Sequence, residues 1–207
     1  MKIYSIVAGS IGTNSYLLLS DDEKEAAIID PAVFIPEFAE KIDGLGATLN
    51  YILLTHGHGD HTGGIPEFKE RFPDAKLAAG RHEEELLRNA SVNYSSVILG
   101  AEVNPMPDIL LKDGDELKVG NLTLKVIETP GHTAGGVSYL VNNEVLFSGD
   151  TLFRGSVGRT DLPTGDMITL LRSIREKLFT LDDEVRVLPG HMQDTTIGRE
   201  KRTNPFV

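Results

Sequence analysis

The chain has 207 residues, 40% of them hydrophobic and 25% charged, a globular composition with enough apolar residues for a sizeable core, which excludes disorder, collagen and coiled coil. Against 31 Asp and Glu stand 20 Lys and Arg, and the formal charge of -11 repels a phosphate backbone, so nucleic acid is disfavoured as a partner. No cysteine is present, which excludes disulfides, thiolate nucleophiles, iron-sulfur clusters and Cys-bound zinc and leaves His, Asp or Glu to hold any metal.

In chain order, the alternation of apolar and polar residues predicts three short strands over Lys2 to Val7, Ser15 to Leu19 and Glu25 to Ile29. A helix is expected over Phe34 to Ile42, stopped by Asp43-Gly44-Leu45-Gly46, where glycine can take the left-handed cap. Leu49 to Leu54 reads as a strand covered on both faces, and Gly63 to Phe72, Leu77 to Ala79 and Arg81 to Asn89 read as helix, strand and helix. Residues 90–107 read as a loop. Strands follow at Glu116 to Val119, Leu122 to Glu128, Val137 to Val141 and Val145 to Phe147. An amphipathic helix is predicted over Met167 to Phe179, then a strand over Val185 to Leu188 and a last helix near Thr195 to Arg202. Strand-rich stretches ending in helices, twice over and with no linker between, predict one αββα sandwich of two mixed sheets spanning residues 1–207. No stretch of ~18 uncharged apolar residues and no signal-like N-terminus is present, so no membrane partner and a cytoplasmic location are expected.

Three of the six histidines fall in Thr55-His56-Gly57-His58-Gly59-Asp60-His61, directly after an apolar strand. On an extended exit, residues two apart point the same way, so His56 and His58 can converge on one ion, while a turn after Gly59 sends Asp60 and His61 toward a second point. A polar turn rich in histidine, or a helix cap by Asp60, is the plainer alternative. Three more candidate ligands follow tight glycine turns at strand ends: His132 after Pro130-Gly131, Asp150 after Ser148-Gly149, and His191 after Pro189-Gly190. His82, among Glu83-Glu84-Glu85, is expected to be a solvated surface residue. Seven ligands exceed one tetrahedral zinc. Two divalent ions fit, one held by His56, His58 and His132, the other by Asp60, His61 and His191, with Asp150 bridging and a shared hydroxide between ions ~3.5–4 Å apart. Zinc is the first choice of metal, and iron or manganese suits the same His/carboxylate set.

The pattern His-x-His-x-Asp-His at residues 56–61, with His132, Asp150 and His191, resembles the metallo-β-lactamase superfamily over nearly the whole chain. The segments Gly149-Asp150-Thr151-Leu152-Phe153, Gly158-Arg159-Thr160-Asp161 and Gly198 to Phe206 are most similar to the short glyoxalase II-like (hydroxyacylglutathione hydrolase-like) branch. The resemblance implies the αββα fold and hydrolysis of a small-molecule thioester such as S-lactoylglutathione by a metal-bridging hydroxide, with Asp60 as the catalytic residue that orients it. Arg159 is expected to contact the anionic part of the substrate, and Arg154, Lys201 and Arg202 are further candidates. A full-length glyoxalase II carries an additional C-terminal helical region that helps to hold glutathione, which leaves the thiol carrier open here. The turn at Gly158-Arg159 is equally similar to that of persulfide dioxygenases, which implies the alternative of a mono-iron centre of His56, His132 and Asp150. A non-catalytic metal-binding module is the third reading.

Overall fold

The computed structural model describes residues 1–207. Its elements run β1 (Lys2–Ala8), β2 (Thr13–Leu19), β3 (Glu25–Ile29), α1 (Pro36–Leu45), β4 (Thr48–Leu53), α2 (Gly59–Thr62), α3 (Ile65–Arg71), β5 (Lys76–Gly80), α4 (Glu84–Leu87), α5 (Ser95–Ile98) and β6 (Ile109–Leu111). There follow β7 (Glu116–Val119), β8 (Leu122–Glu128), β9 (Val137–Val141), β10 (Val145–Gly149), β11 (Leu152–Phe153), β12 (Ser156–Val157), α6 (Met167–Glu176), β13 (Arg186–Pro189), β14 (Thr195–Thr196) and α7 (Ile197–Thr203).

Two six-stranded sheets form, in the orders β1-β2-β3-β4-β5-β6 and β14-β13-β10-β9-β8-β7, and β11 pairs with β12 as a separate hairpin. Both sheets are mixed: β3 to β6 run parallel after an antiparallel start, and β13 pairs parallel with β10 inside an otherwise antiparallel sheet. Period-2 alternation divides the strand residues between three apolar layers. Tyr16, Leu18, Ile29 and Leu53 of the first sheet meet Leu124, Val126, Tyr139 and Phe147 of the second in the central layer. Leu17, Leu19 and Ile28 face outward onto Phe38 and Ile42 of α1 and Phe68 of α3, and Leu140, Leu146 and Val187 face Leu170 and Ile174 of α6. This layering is an αββα sandwich, as expected. No helix is long and apolar enough to cross a membrane.

Several predicted boundaries move. The helix expected over Arg81 to Asn89 shrinks to the single turn α4, because Glu83 is drawn into the interior by backbone donors at Gly57 and Gly135. The stretch 90–107 contains the short helix α5, and β6 follows it as an edge strand too short and too close to Pro105 and Pro107 to be read. Thr195 and Thr196 pair with β13 before α7 begins, and the Thr196 hydroxyl caps α7 by accepting from the Arg199 amide. The hairpin β11–β12 is too brief to show a period. At the start of α6 the Asp166 side chain accepts from Thr169 N at 2.7 Å, the N-cap that sets the register of this helix.

Two buried phenols cross the central layer to strand ends. Tyr139 donates its hydroxyl to Leu54 O at 2.7 Å and Tyr16 donates to Pro189 O at 2.6 Å. These carbonyls lie just ahead of His56 and His191, so the sheet packing also pins the loops that follow. Tyr139→Phe removes a buried donor while keeping the ring, and it is expected to cost about 1–2 kcal/mol, read as a lower urea midpoint at unchanged m-value. An unchanged midpoint would mean that the bond carries no net stability.

Candidate metal centre

All seven of the residues expected to gather do so, at one edge where loops from both sheets meet. His56 and His58 follow β4 of the first sheet, and His132, Asp150 and His191 follow β8, β10 and β13 of the second. Asp60 and His61 lie in α2, whose N-cap residue is His58 and which has no side-chain cap, so Asp60 is not spent on capping. Their ligating atoms form the clusters His56/His58/His132, Asp60/His61/His191 and His56/His61/Asp150, each within 4.8 Å. His58 Nδ1 is 3.0 Å from His132 Nε2, which is 3.2 Å from His56 Nε2. In the second cluster Asp60 Oδ2 is 3.2 Å from His191 Nε2 and 3.3 Å from His61 Nε2. Asp150 spans both, with Oδ2 3.7 Å from His132 Nε2 and 3.5 Å from His191 Nε2, and Oδ1 3.6 Å from His61 Nε2.

The outward nitrogens show how the rings are charged. His132 Nδ1 donates to Arg159 O at 2.7 Å, His191 Nδ1 faces Gly12 O at 3.3 Å and His61 Nδ1 lies 3.0 Å from Asp30 Oδ2. His56 Nδ1 faces the Thr55 hydroxyl at 3.2 Å, and that hydroxyl donates to Asp30 Oδ2 at 2.6 Å. An acceptor at the Nδ1 of His56, His132 and His191 places a ring proton there, and the Nε2 atoms of these three rings and of His61 point inward at one another and at the carboxylates. Burial, and then neighbouring imidazoles, hold His56 well below the usual histidine range and take His58 down to about 3. Burial also lowers His132. For His61 and His191 burial is outweighed by facing carboxylates, and both are raised. Asp60 is lowered despite burial, because His61 and His191 stabilise its charge. One side of the edge thus offers neutral imidazoles and the other demands positive charge. His58 Nε2, both ring nitrogens of His61 and Asp150 Oδ1 are buried without a hydrogen-bond partner. A pair of divalent cations meets both requirements, so the donor set fits the metals that the sequence implies.

Glycine makes the close approach possible. A Cβ on Gly190 would stand 2.2 Å from Asp150 Oδ1, and one on Gly158 would stand 1.8 Å from Asp150 O.

Outer partners escaped the sequence reading. Asp30, held at a positive φ of 49°, accepts from Thr55 N at 2.8 Å and orients His61. Thr13 donates to Asp60 Oδ2 at 2.8 Å. Glu83, next to the exposed His82, is buried and accepts from Gly57 N, Gly135 N and Thr133 Oγ1, tying the His56–His58 loop to the His132 loop. Each lies far in sequence from the group it serves, and the only signal was an acid next to a strand end or turn for Asp30 and Glu83, with none for Thr13. His82 is exposed, as expected.

A cavity of about 690 Å³ opens onto the cluster. His58, Asp60, His132, Asp150 and His191 form its floor, and Ile98, Phe153, Val157 and Leu162 much of its wall. Arg159 lines it too, with its guanidinium bonded to both Asp161 oxygens at 2.7 Å. Lys201 and Arg202 turn to Asp183, and Arg154 reaches Gln193, so none of these three lines the cavity.

A model of the metallo-beta-lactamase superfamily matches residues 8–191. The probable metallo-hydrolase YqgX of Bacillus subtilis is 41% identical over 209 residues, covering 100% of this chain and 98% of the relative. Hydroxyacylglutathione hydrolase GloC of Haemophilus influenzae is 39% identical over 197 residues, covering 92% and 91%. Among solved structures, BLEG-1 B3 metallo-beta-lactamase superposes with a TM-score of 0.90 at 38% identity, covering 99% of both chains. TTHA1623 in a di-iron-bound form gives 0.84 at 33% identity, covering 99% of this chain and 100% of that one. ETHE1 from Myxococcus xanthus gives 0.77 at 30% identity, covering 99% and 84%.

Asp30→Asn keeps the shape of the side chain that orients His61 but removes its charge. Metal affinity is expected to fall by about 10–100-fold, measured by competition with a chelator, with the far-ultraviolet circular dichroism unchanged. Unaltered affinity would reduce Asp30 to a partner of Thr55 alone.

Proposed function

This chain belongs to the metallo-β-lactamase superfamily, and we propose that residues 1–207 form one catalytic domain that hydrolyses hydroxyacyl thioesters, with S-lactoylglutathione the first substrate to try. The observation that carries the reading is the double cluster: His56, His58 and His132 would hold one divalent ion, Asp60, His61 and His191 the other, and Asp150 faces both. Bound there, the ions supply a hydroxide nucleophile at neutral pH, by taking the pKa of water from about 15.7 toward ~7, and polarise a carbonyl. Zinc is the proposed metal, and the di-iron form of TTHA1623 makes iron the alternative.

The chain's own groups do the rest. Asp60 lines the cavity with Oδ2 fixed by Thr13, where it orients the attacking hydroxyl. Gly12 O and Arg159 O set the tautomers of His191 and His132. A thioester places a good leaving group at this site, so no strong general acid is required. The apolar wall excludes water beside the reacting carbonyl, and Arg159 is the cation proposed to meet an anionic group of the substrate. Support for a thiol-conjugate substrate comes from the likeness to GloC.

The mono-iron alternative leaves His58, Asp60, His61 and His191 without a role as ligands. Zinc-loaded protein is expected to hydrolyse S-lactoylglutathione, and His191→Ala to lose most of that rate. If the chain is instead a persulfide dioxygenase, the iron-loaded His191→Ala variant keeps persulfide-dependent oxygen uptake within ~10–100-fold of the parent, while His56→Ala abolishes activity in either case. A chromogenic β-lactam assayed in parallel tests the likeness to BLEG-1. Preferred turnover of the lactam or the persulfide would reject the thioesterase reading.

Arg159→Ala is expected to raise KM at least as much as it lowers kcat, the signature of lost uniform binding. An unchanged KM would leave Arg159 only the backbone role its carbonyl plays at His132.

A further inference from the structure

The motif from Gly198 to Phe206 lies outside the metal centre, yet α7 grips the hairpin that walls the cavity. Glu200, fully buried, accepts from Gly155 N at 2.8 Å and from Asn204 Nδ2 at 3.0 Å, and Asn204 Nδ2 also donates to Ser156 O at 3.0 Å. The turn of the β11–β12 hairpin is held from behind. On its front, Phe153, Ser156 and Val157 line the cavity. Behind it lies a second, more open groove of about 460 Å³, lined by Arg154, Arg186 and Arg199 with Thr195 and Thr196, and by the acids Glu184 and Asp194. The two depressions adjoin along the chain: Phe153 lines the cavity and its neighbour Arg154 the groove, and Arg154 bonds at 2.9 Å to Gln193, the neighbour of the cavity residue Met192.

Charge and polarity differ between the two depressions. The groove is lined by three guanidinium groups and two carboxylates, and the Glu200 carboxylate behind Arg199 makes a third, in a chain of formal charge -11. Arg186 pairs with Asp194 at 2.8 Å, and Arg199 with Glu200 at 2.7 Å, a carboxylate already shared with Thr195, Gly155 and Asn204. Arg154, exposed at the hairpin turn, has an amide oxygen for a partner and no carboxylate. Guanidinium forks match carboxylate and phosphate oxygens. The cavity wall beside them is apolar and suits an uncharged segment.

We propose that the arginine groove is a second subsite, which holds the anionic end of an extended thiol carrier whose uncharged middle crosses the apolar cavity wall. This rests on the thioester reading and adds where the carrier lies. Carboxylate-ended and phosphate-ended carriers share the required chemistry.

Calorimetry on zinc-loaded protein separates them, with S-methylglutathione, S-methyl coenzyme A and the neutral S-methyl-N-acetylcysteamine as probes, before and after Arg154→Gln and Arg186→Gln. Arg154→Gln is expected to weaken at least one anionic probe fivefold or more, with the neutral probe unchanged within twofold, metal content unchanged, and the anionic affinity falling as salt is raised. Whichever anionic probe binds more tightly identifies the carrier's end group. A loss below fivefold for both anionic probes in both variants, or an equal loss for the neutral one, overturns the proposal. Binding is read without turnover, so a protein that binds the anionic probe through Arg154 but hydrolyses no thioester contradicts the proposed reaction and not the subsite.

Discussion

Asp60 and Asp150, both largely buried at the floor of the cavity, stand within 3.2–3.7 Å of imidazole nitrogens, and the inward lone pairs of His56 and His132 face one another across 3.2 Å. Burying a carboxylate without compensation costs several kcal/mol, and crowding neutral imidazoles lone pair to lone pair adds repulsion. Protons can meet part of this demand, as the raised His61 and His191 indicate, but only on the carboxylate side. Cations meet it on both. The local structure around this edge is intelligible as a means of keeping these groups close until cations balance them.

The sandwich does so by dividing the work between its sheets. The first contributes a single loop in which alternating glycines let His56, His58, Asp60 and His61 face two directions within six residues. The second contributes one residue from each of three strand ends, and the central apolar layer fixes their distance from the first sheet through Tyr16 and Tyr139. Around the candidate ligands a shell of acceptors faces four of the five rings, all but His58: Asp30, Gly12 O, Arg159 O and the Thr55 hydroxyl. Glu83 joins the two His loops from below, so the edge is braced across the sheets as well as along them. The Arg159 loop therefore both orients a ring and walls the cavity.

Most of this was legible in the sequence where a period or a repeated local pattern was present. The strands of both sheets show as alternation because one or both faces are buried, and four strand ends followed by glycine turns marked where His56, His132, Asp150 and His191 would meet. What was not legible had no local signature. Strands β6, β11, β12 and β14 are too short for a period and exist because a neighbouring strand or loop pairs with them. Glu83 sits in an acidic run that looks solvated, and only the three donors converging on it from residues 57, 133 and 135 turn it inward and cut the expected helix short. Asp30 reads as a turn acid, since its partner His61 is thirty-one positions away. Long-range hydrogen bonds of this kind are tertiary facts, invisible to spacing.

The central claim is that the edge exists to hold two cations. Metal content per chain, determined by elemental mass spectrometry on protein expressed and purified without chelator and then saturated with zinc, measures it most directly. The account predicts close to two ions per chain. A reproducible value of one, unmoved by excess zinc, iron or manganese, would contradict it.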